Sequence, residues 1–295
     1  MKYIKIISIV ILFYAGSSSF AEEARENVKN EFFYMLNYSF SNADAEIEIN
    51  GVPVAKSKKE FNYSSSGFSD VGQWIFPGEN GISVKISSII KKKESANPFP
   101  NVEFSISMAR AGQMSNEGKK ILQFSMPESN KPAGASDAKI NLPFKKQFIF
   151  VPEFPPPSEL WSKAKSAELN AVNKKQITRL VVEYHTALVN KDTDKLSTLL
   201  MFRVKDICRL RYFPPEEGMS RFKDDLKEML ATDGFAMEAL NQKKLMFRPL
   251  VNSRIIWVTD SSQGEPLKTK KMKDSGTISF AVYVSYIDGA WVIVR

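Results

Sequence analysis

Three consecutive prolines, Pro155 to Pro157, divide this chain of 295 residues into two segments of different character. Proline has no backbone N–H and a fixed φ angle, so a run of three favours an extended connector over a helix or a central strand. Strand patterns dominate before the run, whereas helical periodicities followed by strands dominate after it. We therefore predict two domains, residues 22–151 and 159–295, joined by a linker at residues 152–158.

The first 21 residues have the composition of a secretory signal peptide. Lys2 and Lys5 precede an apolar run at residues 6–14, and Ser19 and Ala21 supply the small side chains that signal peptidase reads. The apolar run is too short to span a bilayer. We predict cleavage after Ala21 and a periplasmic or secreted bacterial protein whose mature chain has no transmembrane segment.

The charge of the chain is modest. The formal net charge is +8, and removal of Lys2 and Lys5 with no acidic residue leaves +6. The lysine clusters at residues 56–59, 91–93 and 268–273 lie in polar stretches without interleaved aromatics, so we interpret them as solvated loops and expect no nucleic-acid partner. An anionic envelope surface or an acidic protein is the alternative partner for this charge.

Short strands account for the first domain. Residues 45–49 alternate apolar and acidic side chains, and Asn50-Gly51 behind them predicts a type I′ hairpin with a returning strand that contains Pro53 at a sheet edge. We predict further strands at residues 32–40, 72–76, 82–90, 102–108, 121–126 and 147–151. Short strands separated by Gly, Pro and Asn predict an all-β sandwich.

The turn at Asn50 and the Pro-Gly-x-Asn-x-Ile-x-Val pattern at residues 77–84 resemble jelly-roll, carbohydrate-binding-like accessory domains. In that resemblance the pattern is scaffolding, with the Asn80 side chain holding the turn, and it carries no binding site. Trp74, just before the pattern, could be a sugar-stacking platform, but an aromatic within an apolar stretch is more often a core residue.

Helices open the second domain. Ile177, Leu180, Val181, Tyr184 and Leu188 follow helical spacing, and Asp192 predicts the cap of a short helix that runs to Leu200. The spacing of Phe222 and Leu226 predicts another helix after these two. Residues 158–171 predict a helix before them, with Ser158 as its cap. Strands are predicted at residues 245–251, 254–258, 277–286 and 291–295, the last two joined at Asp288-Gly289.

This order of a long helix, a short helix and closing strands that end in Gly-x-Trp-Val-Ile resembles the nuclear-transport-factor-two-like superfamily over residues 173–295. The resemblance implies a cone-shaped α+β fold with a strand near residues 202–210. Enzymes of the superfamily place a His or Asp in the cone as general acid or base, and His185 with Asp206 or Asp194 would match that pair. A histidine on the flank of a helix with a structural hydrogen bond is the alternative interpretation.

The stretch from Val204 to Pro215 combines arginines, aromatics and prolines. Arginine and aromatic residues are concentrated in protein-binding hot spots. If this stretch is a loop over the mouth of the cone, Arg209, Arg211 and Tyr212 are presented together, and they are our candidate binding residues. A loop anchored by its own aromatics is the alternative.

No catalytic constellation is evident in the chain. It lacks a Gly-x-Ser-x-Gly element and a phosphate-binding glycine run, and His185 and Cys208 are its only histidine and cysteine. We expect no catalytic residue, metal or cofactor, and an inert, buried Cys208.

An exported, cysteine-poor, two-domain chain of this kind resembles periplasmic immunity proteins, which implies a secreted toxin as its protein partner. A carbohydrate- or envelope-ligand-binding protein is the first alternative, and a small hydrolase or isomerase using His185 is the second.

Overall fold

The computed structural model of the chain describes residues 31–57, 64–89, 101–114, 117–126, 141–273 and 276–295. The predicted signal peptide, its cleavage site and the lysines at 58, 59 and 91–93 lie outside these residues. The described residues form two compact units, which divide between Pro157 and Ser158. We call residues 31–157 the first unit and residues 158–295 the second unit.

The first unit is built from strands. They are β1 (Phe32–Ser41), β2 (Ala43–Ile49), β3 (Val52–Lys56), β4 (Ser65–Asp70), β5 (Asn80–Ile89), β6 (Asn101–Arg110), β7 (Lys119–Met126) and β8 (Phe144–Phe150). They pair as two antiparallel four-stranded sheets in the orders β4-β1-β6-β7 and β3-β2-β5-β8. The rings of Phe104 on β6 and Phe148 on β8 lie 5.8 Å apart, so apolar side chains of the two sheets contact each other.

The predicted Asn-Gly hairpin is confirmed and anchors a second turn. Asn50 and Gly51 have φ angles of 52° and 81°, and Pro53 lies on the edge strand β3. The Asn50 side-chain amide donates to Trp74 O at 2.7 Å and to Asn80 Oδ1 at 2.8 Å. Asn80 is fully buried and also bonds Phe76 N, Phe76 O and Gly78 O, so the asparagine holds the turn as expected.

One predicted strand in the first unit is wrong, and one strand of this unit was not predicted. Residues 72–74 form a short 3-10 helix and not a strand, because the Asp70 carboxylate accepts from Gly72 N at 2.9 Å and Trp74 N donates to Val71 O. Strand β4 was not predicted, since its serines and glycine show no apolar alternation. It forms by pairing with β1, in which alternate residues are buried.

Helices and a sheet make up the second unit. Its elements are α1 (Leu160–Lys163), α2 (Ala171–Val189), α3 (Thr193–Leu199), α4 (Met201–Leu210), α5 (Pro215–Ala231), β9 (Met246–Leu250), β10 (Ile255–Thr259), β11 (Leu267–Lys268), β12 (Ser279–Phe280), β13 (Val282–Ile287) and β14 (Ala290–Ile293). The main sheet has the order β14-β13-β10-β9, and β11 pairs with β12. Its core joins helix residues such as Val181 and Leu226 to sheet residues such as Val258 and Val284.

Side-chain caps begin α2 and α3; the Asp192 cap was predicted, whereas Asn170 lay within the helix predicted at residues 158–171. Asn170 accepts from Asn173 N to begin α2, and Asp192 accepts from Lys195 N to begin α3, both at 2.9 Å. The apolar spacing of α2 and α5 places Ile177 and Phe222 in the core. None of the helices described for this chain combines the length and the apolar character that crossing a membrane requires.

Residues 201–210 are helical, so neither the loop nor the strand expected there is present. Helix α4 is buried on two sides, with Val204 and Cys208 on one and Asp206 and Leu210 on the other. Met201, Val204 and Cys208 follow helical spacing, but the arginines, aromatics and prolines of residues 204–215 led us to predict a loop.

The predicted helix at residues 158–171 is reduced to the four residues of α1, and Ser158 does not cap it. The cap comes from Asp206 on α4, whose Oδ1 accepts from Glu159 N at 2.6 Å and from Leu160 N at 3.3 Å. Asp206 Oδ2 accepts from the Ser158 hydroxyl at 2.7 Å and from Arg295 Nη2 at 2.8 Å. Since Asp206 and Arg295 are both buried, this pair ties helix α4 to the segment after β14.

Candidate functional site

The three candidate binding residues lie at the C-terminal end of α4. Arg209 is in the last turn of the helix, and its Nη2 lies 2.8 Å from Glu159 Oε1. Arg211 and Tyr212 follow the helix and are half-buried. The structure therefore places the three side chains on one short segment, with the charge of Arg209 paired to Glu159.

The turn after α4 is held by backbone hydrogen bonds. Arg211 N donates to Ile207 O, Tyr212 N to Arg209 O, and Phe213 N to Cys208 O at 2.8 Å. Tyr212 adopts a φ angle of 53°, in the left-handed region. The Arg221 guanidinium lies 4.8 Å from the centre of the Phe213 ring and covers it. The segment is thus anchored by one of its own aromatics while it presents Arg211 and Tyr212 in a fixed backbone conformation.

The residues expected to form a catalytic pair have separate partners. His185 Nε2 lies 2.8 Å from Glu238 O. Asp194 accepts from Lys223 Nζ at 2.9 Å, while Asp206 is buried against Arg295. His185 therefore has the structural hydrogen bond of the alternative interpretation, and no hydrogen bond joins it to either aspartate in the described part of the chain.

Cys208 is a packing residue, as its sequence context suggests. The thiol is 1% exposed, and burial raises its pKa, which lowers the fraction of reactive thiolate. A methyl group built on Gly218 of α5 would lie only 2.1 Å from Cys208 Sγ. The close approach of α4 to α5 therefore depends on glycine at position 218.

Glu265 is a candidate functional residue that the sequence did not reveal. Burial raises the pKa of its carboxyl to about 7, and this effect exceeds the opposing effect of the Trp257 indole beside it. Glu265 Oε2 and Trp257 Nε1 are both buried, and a hydrogen bond from the indole is the main influence that opposes the rise in the Glu265 pKa. A carboxyl with a pKa near 7 exchanges its proton at neutral pH, which is a property of functional acids and bases.

A tight turn between β10 and β11 positions Glu265. Asp260 Oδ1 accepts from Ser262 N at 2.8 Å, from the Ser262 hydroxyl at 2.5 Å and from Gly264 N at 2.9 Å, while its Oδ2 accepts from Lys268 Nζ at 3.0 Å. These donors, led by the Ser262 hydroxyl, hold the pKa of Asp260 well below its usual range. The sequence of this turn resembles an ordinary solvated loop, so only the fold reveals the burial of Glu265.

The turn borders a small cavity of about 130 Å³. Its lining includes Asp260, Glu265 and Lys268 on one side and residues of the segment from Glu238 to Leu245 on the other. Glu238 and Lys244 are exposed, whereas Glu265 is mostly buried. Glu265 thus lines this cavity, while its Oε2 atom is buried.

In the first unit, a shallow depression of about 300 Å³ lies on the sheet β4-β1-β6-β7. Its polar lining includes Asn37, Glu103, Ser105 and Gln123. Phe68, directly opposite Asn37 on the edge strand β4, is 73% exposed. Trp74 is only 7% exposed, which confirms it as a core residue and makes it unsuitable as a stacking platform.

Two further searches for a functional site, for metal-binding clusters and for similar proteins, give no candidate among the described residues. The described residues contain no group of three or more His, Cys, Asp or Glu side chains that could hold a metal ion. Comparison with protein-family models, with curated proteins and with solved structures finds no match for this chain.

Proposed function

We propose that this chain is an exported, periplasmic binding protein of the immunity type, which neutralises a secreted bacterial toxin by covering it and catalyses no reaction. The observation that carries the proposal is the anchored turn after α4, which holds the half-buried Arg211 and Tyr212 in one backbone conformation. A backbone that is already ordered loses less conformational entropy on binding, so its side chains contribute more of their contact energy to affinity. Arginine and tyrosine are the residue types that most often dominate such contacts.

The positions of the expected catalytic residues support a binding role over a His185 enzyme. His185 bonds a backbone carbonyl, Asp206 caps α1 and pairs with Arg295, and Asp194 pairs with Lys223. Each of these side chains is already used in holding the second unit together. An enzyme needs at least one such group directed at a substrate.

The architecture that we propose for this function is a β-sandwich followed by a cone-shaped α+β domain. Aromatic contacts between the two sheets of the first unit support the sandwich, including Phe124 of β7 with Phe148 of β8 at 5.8 Å. The packing of α2 to α5 on the sheet β14-β13-β10-β9 supports the cone. Covering a toxin requires a complementary surface of ordinary interface size, about 800 Å² on each partner.

Export and neutralisation are tested together in native cells. N-terminal sequencing of the periplasmic protein should find Glu22 as the first residue, whereas Met1 would contradict export. The proposal expects a toxin gene beside the gene for this chain. Cells that carry Arg211→Ala or Tyr212→Ala should lose protection against that toxin, with affinity reduced roughly 30-fold for each residue.

Two matched variants serve as controls for this experiment. Arg179→Ala removes an exposed arginine of α2, and His185→Ala removes the only histidine. Both should protect as well as the wild type. A folded His185→Ala variant without activity, alongside a fully active Arg211→Ala variant, would overturn the binding proposal and favour the enzyme.

Glycan binding is a second candidate, favoured by the depression on the sheet β4-β1-β6-β7. Amide, carboxylate and hydroxyl groups line it, and the exposed Phe68 beside it offers a ring for a sugar to stack on. Binding on a glycan array that is lost with Phe68→Ala would support this function. Ile149→Ala, a change at an exposed residue of β8, is the matched control and should bind normally.

A further inference from the structure

We propose that two copies of this chain associate through strand β4, so that the sheet β4-β1-β6-β7 continues into the same sheet of the second copy. The two β4 strands run antiparallel about a twofold axis, with Gly67 of each copy opposite Gly67 of the other. This surface belongs to the first unit, whereas the turn after α4 that carries the proposed function belongs to the second unit. The proposal rests on three features of β4: its position, its side-chain pattern and its charge.

Strand β4 is an unprotected sheet edge. It pairs with β1 and with no other strand among the described residues, so alternate backbone N–H and C=O groups of residues 65–69 point away from the sheet. Sheet edges in native proteins usually carry lysines, prolines or bulges, which keep other strands from pairing with them. The three other edges of the first unit have such features: Pro53 and a bulged register on β3, exposed Lys119 and Lys120 on β7, and exposed Lys145 and Lys146 on β8. Strand β4 has none of them.

The side chains on one face of β4 are complementary to themselves. Ser65, Gly67 and Ser69 lie on the buried face of the sheet, since the β1 partners of the two serines are the buried Phe40 and Leu36. With Gly67 at the twofold axis, Ser65 of each copy lies directly opposite Ser69 of the other.

This register supplies hydrogen bonds that the single chain lacks. The hydroxyl groups of Ser65 and Ser69 have no hydrogen-bond partner among the described residues, although both residues are only half-buried. A serine hydroxyl both donates and accepts, and it turns about a single bond. Serines directly opposite each other on paired strands therefore hydrogen-bond across the contact, and the twofold axis repeats this pair on both sides of Gly67.

The other face of β4 offers an apolar contact. Phe68 is exposed on this face, and in the same register it lies opposite Ser66 of the second copy. The two Phe68 rings are then diagonal neighbours, a distance that aromatic side chains can reach. Pairing therefore removes apolar surface of both rings from water.

The charge of β4 also permits self-pairing. Asp70 is the single charged residue of the strand. The register separates the Asp70 residues of the two copies by six positions, or about 20 Å along the strands, which exceeds the Debye length of about 8 Å at physiological salt. Self-pairing of β7 or β8 would instead bring lysines of the two copies together, and like charges on paired strands are destabilising.

The length of β4 limits the strength of the contact. Two strands of six residues each give an interface at the low end of the size range, below about 1,200 Å², which is typical of weak complexes. We therefore expect a dimer with a dissociation constant on the order of 10 to 100 µM.

Sedimentation equilibrium of the full chain tests this association. The average mass should rise from that of one copy toward that of two as the concentration passes about 50 µM. Phe68→Lys and Ser66→Lys should each weaken association at least tenfold, because each introduces a charge at the pairing edge. Ile149→Lys is the matched control and should associate like the wild type, since Ile149 is about as exposed as Phe68 but lies on the edge strand β8.

A double variant tests the register. Ser66→Glu combined with Phe68→Lys places the introduced glutamate of each copy opposite the introduced lysine of the other. This variant should associate more tightly than Phe68→Lys alone. Equal association of the two would contradict pairing about Gly67.

Three further results would overturn the proposal: a chain that stays monomeric at several hundred micromolar, unchanged association of Phe68→Lys, or loss of association in Ile149→Lys. Circular dichroism reports whether each variant is folded, and Ser66→Lys decides if Phe68→Lys does not fold. Neither a toxin nor a glycan is present in this experiment, so the dimer can fail while the proposed function stands.

Discussion

Glu265 couples stability to pH through its buried carboxyl. Its pKa is raised from the ordinary 4.5 to about 7, chiefly by burial. The folded protein therefore holds this proton to a higher pH than the unfolded chain does, so this residue makes the free energy of unfolding fall as the pH rises from about 4.5 to about 7. The effect is on the order of 3 kcal/mol, because one unit of pKa corresponds to about 1.4 kcal/mol.

We predict that Glu265→Gln removes this contribution. The variant should gain stability relative to the wild type between pH 5 and pH 8, because its amide cannot ionise. Urea unfolding at the two pH values measures the difference, and Glu238→Gln is the exposed control that should follow the wild type. A difference that is the same at both pH values would show that Glu265 has an ordinary pKa.

Glycine at position 218 is required by the contact of α4 with α5. Alanine is intrinsically better in a helix by about 1 kcal/mol, but its methyl group would lie 2.1 Å from Cys208 Sγ. We predict that Gly218→Ala lowers the free energy of unfolding by about 1 to 3 kcal/mol, because relieving the overlap forces the helices apart.

The same contact offers a rescue. Cys208→Ala removes the sulfur atom but keeps the Cβ of residue 208. The methyl group that Gly218→Ala adds would then lie 3.6 Å from that Cβ, an ordinary packing distance. The double variant should therefore be more stable than Gly218→Ala alone when both are measured by urea unfolding. Equal stability of the two would mean that the overlap with Sγ is not the cause.

At the scale of elements, Asp206 fixes how α1 and Arg295 attach to α4. It accepts hydrogen bonds from Ser158, Glu159, Leu160 and Arg295, and all of these would be lost in Asp206→Ala. We predict a loss of about 3 to 5 kcal/mol in the free energy of unfolding, since the Arg295 guanidinium stays buried without its counter-charge.

Two further variants test whether the loss of stability comes from the buried, unpaired Arg295 or from the removal of any aspartate charge. Asp194→Ala breaks an exposed pair with Lys223 and should change stability little. Asp206→Ala combined with Arg295→Ala should cost less than the sum of the two single variants, because no unpaired charge remains. An additive double variant would show that the two charges do not interact.

At the scale of the whole molecule, the segment predicted as a linker contacts the first unit. The Phe154 ring stacks on Phe32 at 4.3 Å between centroids, Phe154 O accepts from the Tyr34 hydroxyl at 2.8 Å, and Glu153 pairs with Lys119 at 2.6 Å. A fragment of residues 22–157 keeps these contacts, whereas a fragment of residues 22–151 loses them.

We predict that the shorter fragment is less stable by about 1 to 3 kcal/mol, because it loses an aromatic pair and a hydrogen bond. Thermal unfolding of the two fragments measures the difference. Phe154→Ala in the longer fragment should reproduce most of it. Equal stability of the fragments would show that residues 152–157 do not contribute to the first unit.

Some of this structure was determined by the sequence itself. Several features act within a few residues, so the sequence alone predicts them: the Asn50-Gly51 and Asp288-Gly289 turns, the Asp192 cap and the apolar spacing of α2. The core position of Trp74 and Cys208 followed in the same way from their apolar surroundings.

Tertiary contacts decided the rest. Helix α4 was missed because Asp206, polar in the sequence, is buried by a partner 89 residues away. Strand β4 exists because β1 supplies its hydrogen bonds. The pKa of Glu265 is raised to about 7 because the fold buries a turn whose sequence resembles a solvated loop. Local hydrogen bonds and helical periodicity depend on residues that are close in the sequence, so they can be predicted from it. The burial of a charge depends on which distant residues surround it in the fold.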